Sequence, residues 1–228
     1  MRKAIRTSIG LFAECFRPSG PVVEIGAYYP PGYQWLSDLR PFFTTLEYIG
    51  CDIRPGPGVD RIENAQALTF PAGFAGTIIV CEVLEHLPDP ALAVAEAWRT
   101  LGDDGLLVVS VPFQYRLHAF PTDYWRFTAS GLHCLLSAFP SRTVFALGPR
   151  LKPAFAFAVA SKTASRQFDE CANRFELRVT AVFEASRLRG VISELRYRGR
   201  DFFGCLLGRA HLDAAFFRPD NKSGYRQP

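Results

Sequence analysis

No run in this 228-residue sequence approaches the roughly 18 consecutive apolar residues that a membrane-spanning helix needs, so no membrane span is expected. The basic start MRKAIRTSIGLFAECF lacks the apolar core of an export signal, because Thr7, Ser8 and Glu14 interrupt it. The six cysteines, at 15, 51, 81, 134, 171 and 205, form no C-x-x-C pair and no C-x-x-C-H. Neither a disulfide framework nor a cysteine zinc site is suggested, and free thiols in a reducing, cytoplasmic setting are the expectation. Charge of one sign is also scarce. The excess of four positive charges lies in residues 166–228, which carry 12 basic and 8 acidic side chains. That density is too dilute for a nucleic-acid partner and fits a solvated helix face. With 48% hydrophobic and 21% charged residues, disorder and collagen are excluded as overall descriptions, and a chain of this length buries a sizeable core.

What is present is an alternation of short apolar runs with helical patterns. Ile5, Ile9, Phe12 and Phe16 mark one face of a first helix, which Pro18 and Gly20 end. Strands are expected at 21–26, 46–53, 59–62, 77–80, 105–111, 143–147 and 154–160, with helices at 34–43, 90–101 and 130–139. Asp89-Pro90 reads as an N-cap followed by proline in the first turn of its helix. This spacing predicts an α/β fold with a Rossmann-like, mostly parallel seven-stranded sheet covered by helices on both faces. Beyond it, Phe168, Cys171, Phe175, Val179 and Val182 recur at helical spacing. The expected organisation is an N-terminal helix over 1–20, a central domain over 21–162 and a helical, basic extension over 163–228.

Ligands of open α/β sheets bind at the carboxyl ends of the strands. Here those ends carry Gly26, Asp52, Cys81 to His86, and the loop after Pro112. A glycine turn lets the backbone approach a ligand, and an acid after the second strand can accept ribose hydroxyls; Glu24 and Asp52 stand 28 residues apart. The glycines of G-x-G-x-x-G are missing, since the chain reads Gly26-Ala27-Tyr28-Tyr29-Pro30. A pyrophosphate cradle, and with it a nicotinamide-dependent oxidoreductase, is therefore disfavoured, and a nucleoside without phosphates suits the site better.

In order and spacing, VVEIGAYYP, YIGCDIRPG, IENAQALTF, GTIIVCEVLEHLPDP and LGDDGLLVVSVP resemble the successive motifs of class I S-adenosylmethionine-dependent methyltransferases of the type 11 group, over about residues 21–160. The resemblance implies S-adenosylmethionine as cofactor, with Glu24, Gly26 and Tyr28 beside its methionyl part and Asp52, followed by Ile53, at the ribose. Asn64 and Ala65 would meet the adenine edge, and the chain at Cys81 and Glu82 would receive the amino group. The sequence departs from the family pattern at Tyr28 and Pro30, where glycines are usual, at Asn64, where Asp is usual, and at Gly76, where Asp is common. The activity so implied is methyl transfer to a small-molecule or glycan acceptor at a hydroxyl, with His86, His118 and Asp123 as candidate bases. The alternative is a non-catalytic Rossmann-like binding or interaction module with a degenerate cofactor loop.

Glu82, Glu85 and His86 would share one face if the chain turned helical after Cys81. Together with His118 they form the alternative set for a divalent metal, which some methyltransferases with a similar E-x-x-E-H and later histidine use. The other reading is no metal, with Glu85 and His86 pairing or capping. The loop 113–127, FQYRLHAFPTDYWRF, mixes aromatic and polar groups suited to a sugar or aromatic substrate. Within it Trp125 and Phe127 read as packing residues, with Arg126 available to pair with Asp123.

Overall fold

The computed structural model describes residues 3–119, 121–148, 152–198 and 213–217. The chain begins with α1 (Lys3–Phe16) and enters the sheet at β1 (Val22–Ile25). Then come α2 (Gln34–Ser37), a 3-10 turn (Arg40–Phe42), β2 (Tyr48–Asp52), β3 (Arg61–Ile62) and β4 (Ala75–Cys81). A second 3-10 turn (Leu84–His86) leads to α3 (Pro90–Thr100), β5 (Leu101–Pro112), α4 (Ala129–Leu135), β6 (Ser141–Gly148) and β7 (Phe155–Ser161). The chain continues through α5 (Arg166–Arg198) to β8 (Asp213–Phe217).

The strand order is β3-β2-β1-β4-β5-β7-β6-β8. The first five run parallel, and β7 lies antiparallel between β5 and β6. Seven of these strands are those expected. The eighth, β8, pairs antiparallel with β6 and comes from the stretch expected to be a helical extension. Its main chain occupies what would otherwise be an unpaired sheet edge, which strands of many proteins must have covered.

Alternation along the strands assigns the two faces. Val23, Ile25, Ile78, Val80, Leu107 and Val109 turn toward α3 and α4. Val22, Ile79, Val108, Phe145, Phe157 and Val159 turn the other way, against Ile9, Phe12 and Phe16 of α1 and Phe168, Phe175 and Val179 of α5. The helical spacing of the last group is thus a buried seam, and Phe16 and Phe175 meet edge to face at 5.8 Å.

The helix expected over 34–43 is broken in two. Pro41 sits in the first turn of Arg40–Phe42, where its ring disfavours helical geometry for the preceding residue. The Asp38 carboxylate accepts from the Arg40 amide at 3.1 Å and stabilises the break. The start of α3 is as expected, with the Asp89 side chain accepting from the Ala91 amide at 2.9 Å and Pro90 in the first turn.

Register brings the functional strand ends level. Ile25 lies beside both Cys51 and Val80, and Cys81 beside Ser110. Gly26, Asp52, Cys81 and Ser110 therefore come next along one edge, with Glu82 and Val111 one residue further. The chain order reverses there, between β1 and β4, which leaves a crevice for a ligand.

Candidate active site

Gly26 opens the crevice. It has φ +84°, and a Cβ placed on it would lie 2.3 Å from Cγ2 of Val83, so the turn off β1 and the turn off β4 meet only because this residue has no side chain. The Gly26 and Ala27 amides both donate to the Cys51 carbonyl, at 2.8 and 2.9 Å, which ties the loop to β2. Next along, the Tyr28 amide donates to Oδ2 of Asp52 at 3.3 Å, and the Arg54 amide donates to Oδ1 at 3.2 Å.

Tyr28 stands where a glycine was expected, and two residues make room for it. A Cβ on Gly56 would be 2.5 Å from the Tyr28 ring, and the Arg54 guanidinium lies over that ring at 4.1 Å. The loops after β1 and β2 thus close on one another through an aromatic ring. Arg54 was not anticipated, although its place two residues after Asp52 is a signal in the sequence.

These residues fit a nucleoside with vicinal hydroxyls. Each Asp52 oxygen accepts one amide and keeps a second lone pair for a ligand. Ile53, 71% exposed, offers an apolar face at the mouth. Across the crevice Asn64 is exposed, its Oδ1 accepting from the Gln66 amide at 3.0 Å, and Ala65 is buried beneath it. Buried Glu63 clasps this loop, accepting from the Thr69 amide at 2.8 Å and pairing with Arg61 at 2.7 Å. Glu63 lies within IENAQALTF, but no role was expected of it.

Glu24 is buried on the α1 side of the sheet and accepts from the Tyr48 hydroxyl at 2.7 Å. Burial pushes its carboxyl up to about 7 from an ordinary 4.5, against the lowering effect of the Tyr48 hydrogen bond. At Cys81 burial raises the thiol far above its usual range, so this sulfur is a packing group rather than a nucleophile.

After Cys81 the chain does not turn helical at once. Glu82 has φ +57°, a left-handed conformation that costs a non-glycine residue about 1 kcal/mol or more, and the 3-10 turn begins only at Leu84. Glu82 consequently leaves the face shared by Glu85 and His86. Among the described residues the metal-capable group is Glu85, His86 and His118, whose ligand atoms all lie within 4.8 Å of one another. Of the alternative four-residue set, Glu82 is not in this group.

Both imidazoles are fixed through the same ring atom. Nδ1 of His86 lies 2.7 Å from the Thr122 carbonyl, which can only accept, so Nδ1 carries the proton. Nδ1 of His118 lies 3.2 Å from Oδ2 of Asp123. Two bonds from Arg126, at 2.6 and 2.8 Å, hold the Asp123 carboxylate well below its ordinary range, so it stays ionised and His118 also donates from Nδ1. Both rings are thus held through Nδ1, which leaves Nε2 of each outside these bonds, and their centroids are 4.8 Å apart. Asp123, a candidate base in the sequence, has its oxygens taken by Arg126 and by the amide and ring of His118.

Glu85 lies under the pair. It is 0% exposed, neither carboxyl oxygen has a hydrogen-bond partner, and its Oε1 is 3.7 Å from Nε2 of His86. Burial, and then the charge of Glu82, push this carboxyl up to about 8. Its main-chain carbonyl accepts from the Tyr124 and Trp125 amides at 2.8 and 3.2 Å, and the Trp125 indole donates to the Leu87 carbonyl at 2.9 Å. The loop 113–127 is thereby stitched to the turn after β4. Phe127 packs on the core as expected, whereas Trp125, expected to pack, is 43% exposed.

The sheet order, the crevice at its reversal and the acid after β2 define a nucleoside-binding α/β enzyme fold. The model of a methyltransferase domain family matches residues 1–144, more than half of the chain, and the chain belongs to that family, a class of enzymes using S-adenosylmethionine. Solved structures share the fold at low identity. A 1,6-didemethyltoxoflavin-N1-methyltransferase from Burkholderia thailandensis, with its substrate and S-adenosylhomocysteine bound, is 20% identical, with 71% of this chain and 79% of that one covered at a TM-score of 0.55. An Archaeoglobus fulgidus SAM-dependent methyltransferase is 15% identical over 71% of this chain and 95% of that one, with a TM-score of 0.55. One from Thermotoga maritima is 17% identical over 69% and 89%, with a TM-score of 0.53. None of the curated proteins compared with it matches the chain.

Proposed function

We propose that the enzyme methylates a hydroxyl of a small-molecule or glycan acceptor, in the cytoplasm, with His118 and His86 at the acceptor oxygen. The observation that supports the reading is the pair of imidazoles, each held through Nδ1 and with ring centroids 4.8 Å apart, beside the crevice. The five described cysteines are all free, which supports the compartment.

Gly26, Tyr28, Asp52, Ile53, Asn64 and Ala65 would hold the cofactor, with Glu24, Cys81 and Glu82 lining the strand ends behind them. Bound S-adenosylmethionine supplies a methyl group on a positively charged sulfur, open to in-line displacement. Loop 113–127 positions the acceptor, and placement of this kind is worth roughly 7 to 11 kcal/mol. As the acceptor oxygen forms its bond to carbon, its proton passes to Nε2 of His118, which Asp123 and Arg126 keep in the required tautomer. Transfer of labelled methyl from S-adenosylmethionine to hydroxyl-, amine- and thiol-bearing acceptors tests the reading, and activity confined to amines or thiols would overturn it.

A second reading of the same cluster is a divalent cation held by Glu85, His86 and His118. One buried carboxyl without hydrogen bonds and two oriented imidazoles are acceptors converging on one place, and a cation is a natural centre for them. Titration with Mn²⁺ separates the two. Stoichiometric binding lost in His118→Ala favours the cation, whereas activity indifferent to Mn²⁺, Mg²⁺ and chelator disposes of it.

A further inference from the structure

An open cavity of about 810 Å³ is lined by residues of loop 113–127; neither histidine lines it, but two of its lining residues, Tyr115 and Asp123, touch His118. Its size is that of a site for a molecule of one or two rings. Three aromatic side chains line it and remain 43–49% exposed: Tyr115, Tyr124 and Trp125. They are not loose surface groups. The Tyr124 and Trp125 amides and the Trp125 indole are bonded to the turn after β4, and the Tyr115 ring meets the His118 ring edge to face at 5.0 Å. Rings held in place and left uncovered form a platform that costs little conformational entropy when a flat ligand settles on it.

The charge on the lining is as specific. Asp123 and Arg126 neutralise one another through two hydrogen bonds, and Asp123 is further occupied by His118. That leaves the guanidinium of exposed Arg116, which has no hydrogen-bond or ion-pair partner among the described residues. Its main chain is placed by Arg126, whose Nη2 donates to the Arg116 carbonyl at 3.3 Å. At the rim, Gln114 donates from its amide to the Pro153 carbonyl at 3.2 Å, which brings the exposed Lys152 next to the same loop. Aromatic faces, a planar cation with five donors and a second cation nearby are complementary to a ring that carries an anion.

We infer that this cavity is the acceptor site and that the acceptor is an anionic ring compound, aromatic or glycosyl, whose carboxylate or phosphate meets Arg116 while its hydroxyl faces His118. The inference rests on the methyl-transfer reading for the hydroxyl's fate, but the anion preference stands on the cavity alone.

Binding of two matched pairs tests it, measured by calorimetry and by the fluorescence change expected from Trp125: 4-hydroxyphenylacetate against 4-methylphenol, and glucose 6-phosphate against glucose. In at least one pair the anionic member should bind about tenfold or more tightly than its neutral partner, as a hydrogen bond to a charged group allows. Arg116→Ala and Arg116→Glu should abolish that difference, Arg116→Lys should keep part of it, and Trp125→Ala should weaken both members alike. Neutral members binding as well as anionic ones, an anion preference unchanged in Arg116→Glu, or no binding of any of the four would overturn the inference. S-adenosylhomocysteine binding to the same samples keeps the two readings apart. Protein that binds it but shows no anion preference loses only the acceptor assignment, and protein that fails to bind it loses the methyl-transfer reading while the anion preference is still measured.

Discussion

Tyr28 and Gly56 interlock the loops after β1 and β2: the space a Cβ on Gly56 would take is filled, at 2.5 Å, by the Tyr28 ring. The ring thus does for this loop pair what bare backbone does where a glycine occupies its position. Gly56→Ala should push the ring out, lowering stability by about 1 to 3 kcal/mol and weakening S-adenosylhomocysteine binding. Adding Tyr28→Gly should recover much of the stability. Thermal unfolding and calorimetry of the single and double variants measure the coupling, and purely additive effects would disprove the interlock.

Asp52 holds two loops through its two oxygens, and in the proposed reading the same oxygens receive the ribose. Asp52→Ala should lower affinity for S-adenosylhomocysteine by roughly 10- to 100-fold, since it removes hydrogen bonds to a charged acceptor. Asp52→Asn, which keeps one acceptor oxygen, should fall between. Parent-like binding by Asp52→Ala would remove the ribose assignment.

His118→Ala should reduce kcat by roughly 10²- to 10⁴-fold while leaving S-adenosylhomocysteine affinity unchanged, as for loss of a general base. Asp123→Asn should lower kcat by roughly 10- to 100-fold, because the ring loses the partner that fixes its tautomer. A full rate in Asp123→Asn would mean that the orientation is set elsewhere.

Glu24 makes stability fall as pH rises from acid to neutral. Below its ordinary pKa of 4.5 the group is protonated in both states, and the neutral carboxyl is buried without charge. Between there and about 7 the unfolded chain releases the proton and the folded one keeps it, so stability declines. This contribution is about 3 kcal/mol across the window and stops growing above it. Arg40, Arg6 and Asp38 face the group at longer range, with Arg40 and Arg6 lowering and Asp38 raising its pKa. Chemical denaturation of Glu24→Gln against the parent should show a flatter pH profile in that interval. An identical profile would place the charge elsewhere.

Much of the fold was legible because its signals are local. VVEI and the run after Gly76 are short, apolar and β-branched, and Asp89-Pro90 states a helix start in two residues. The broken helix at Asp38 follows from one proline that a periodicity count overlooks. The site was legible by position and less so by geometry. Asp52, Glu85, His86 and His118 fall where strand ends place them, but the left-handed Glu82 depends on contacts with β5, through its amide bond to the Ser110 carbonyl at 2.9 Å. The partner of His86 is a main-chain carbonyl at Thr122, which has no signature in sequence, and the fit of Tyr28 is decided 28 residues away at Gly56.

The attachment of loop 113–127 has a consequence for how such an enzyme changes over time. At Glu85 the tie consists of main-chain amides on a main-chain carbonyl, and it makes no demand on the side chains at 124 and 125. The side chain at 124 is free to vary with the acceptor while the main-chain tie, reinforced by the Trp125 indole on the Leu87 carbonyl, holds the loop against the histidine turn. Substitution in one segment can then alter what the cavity accepts without moving His86 or His118.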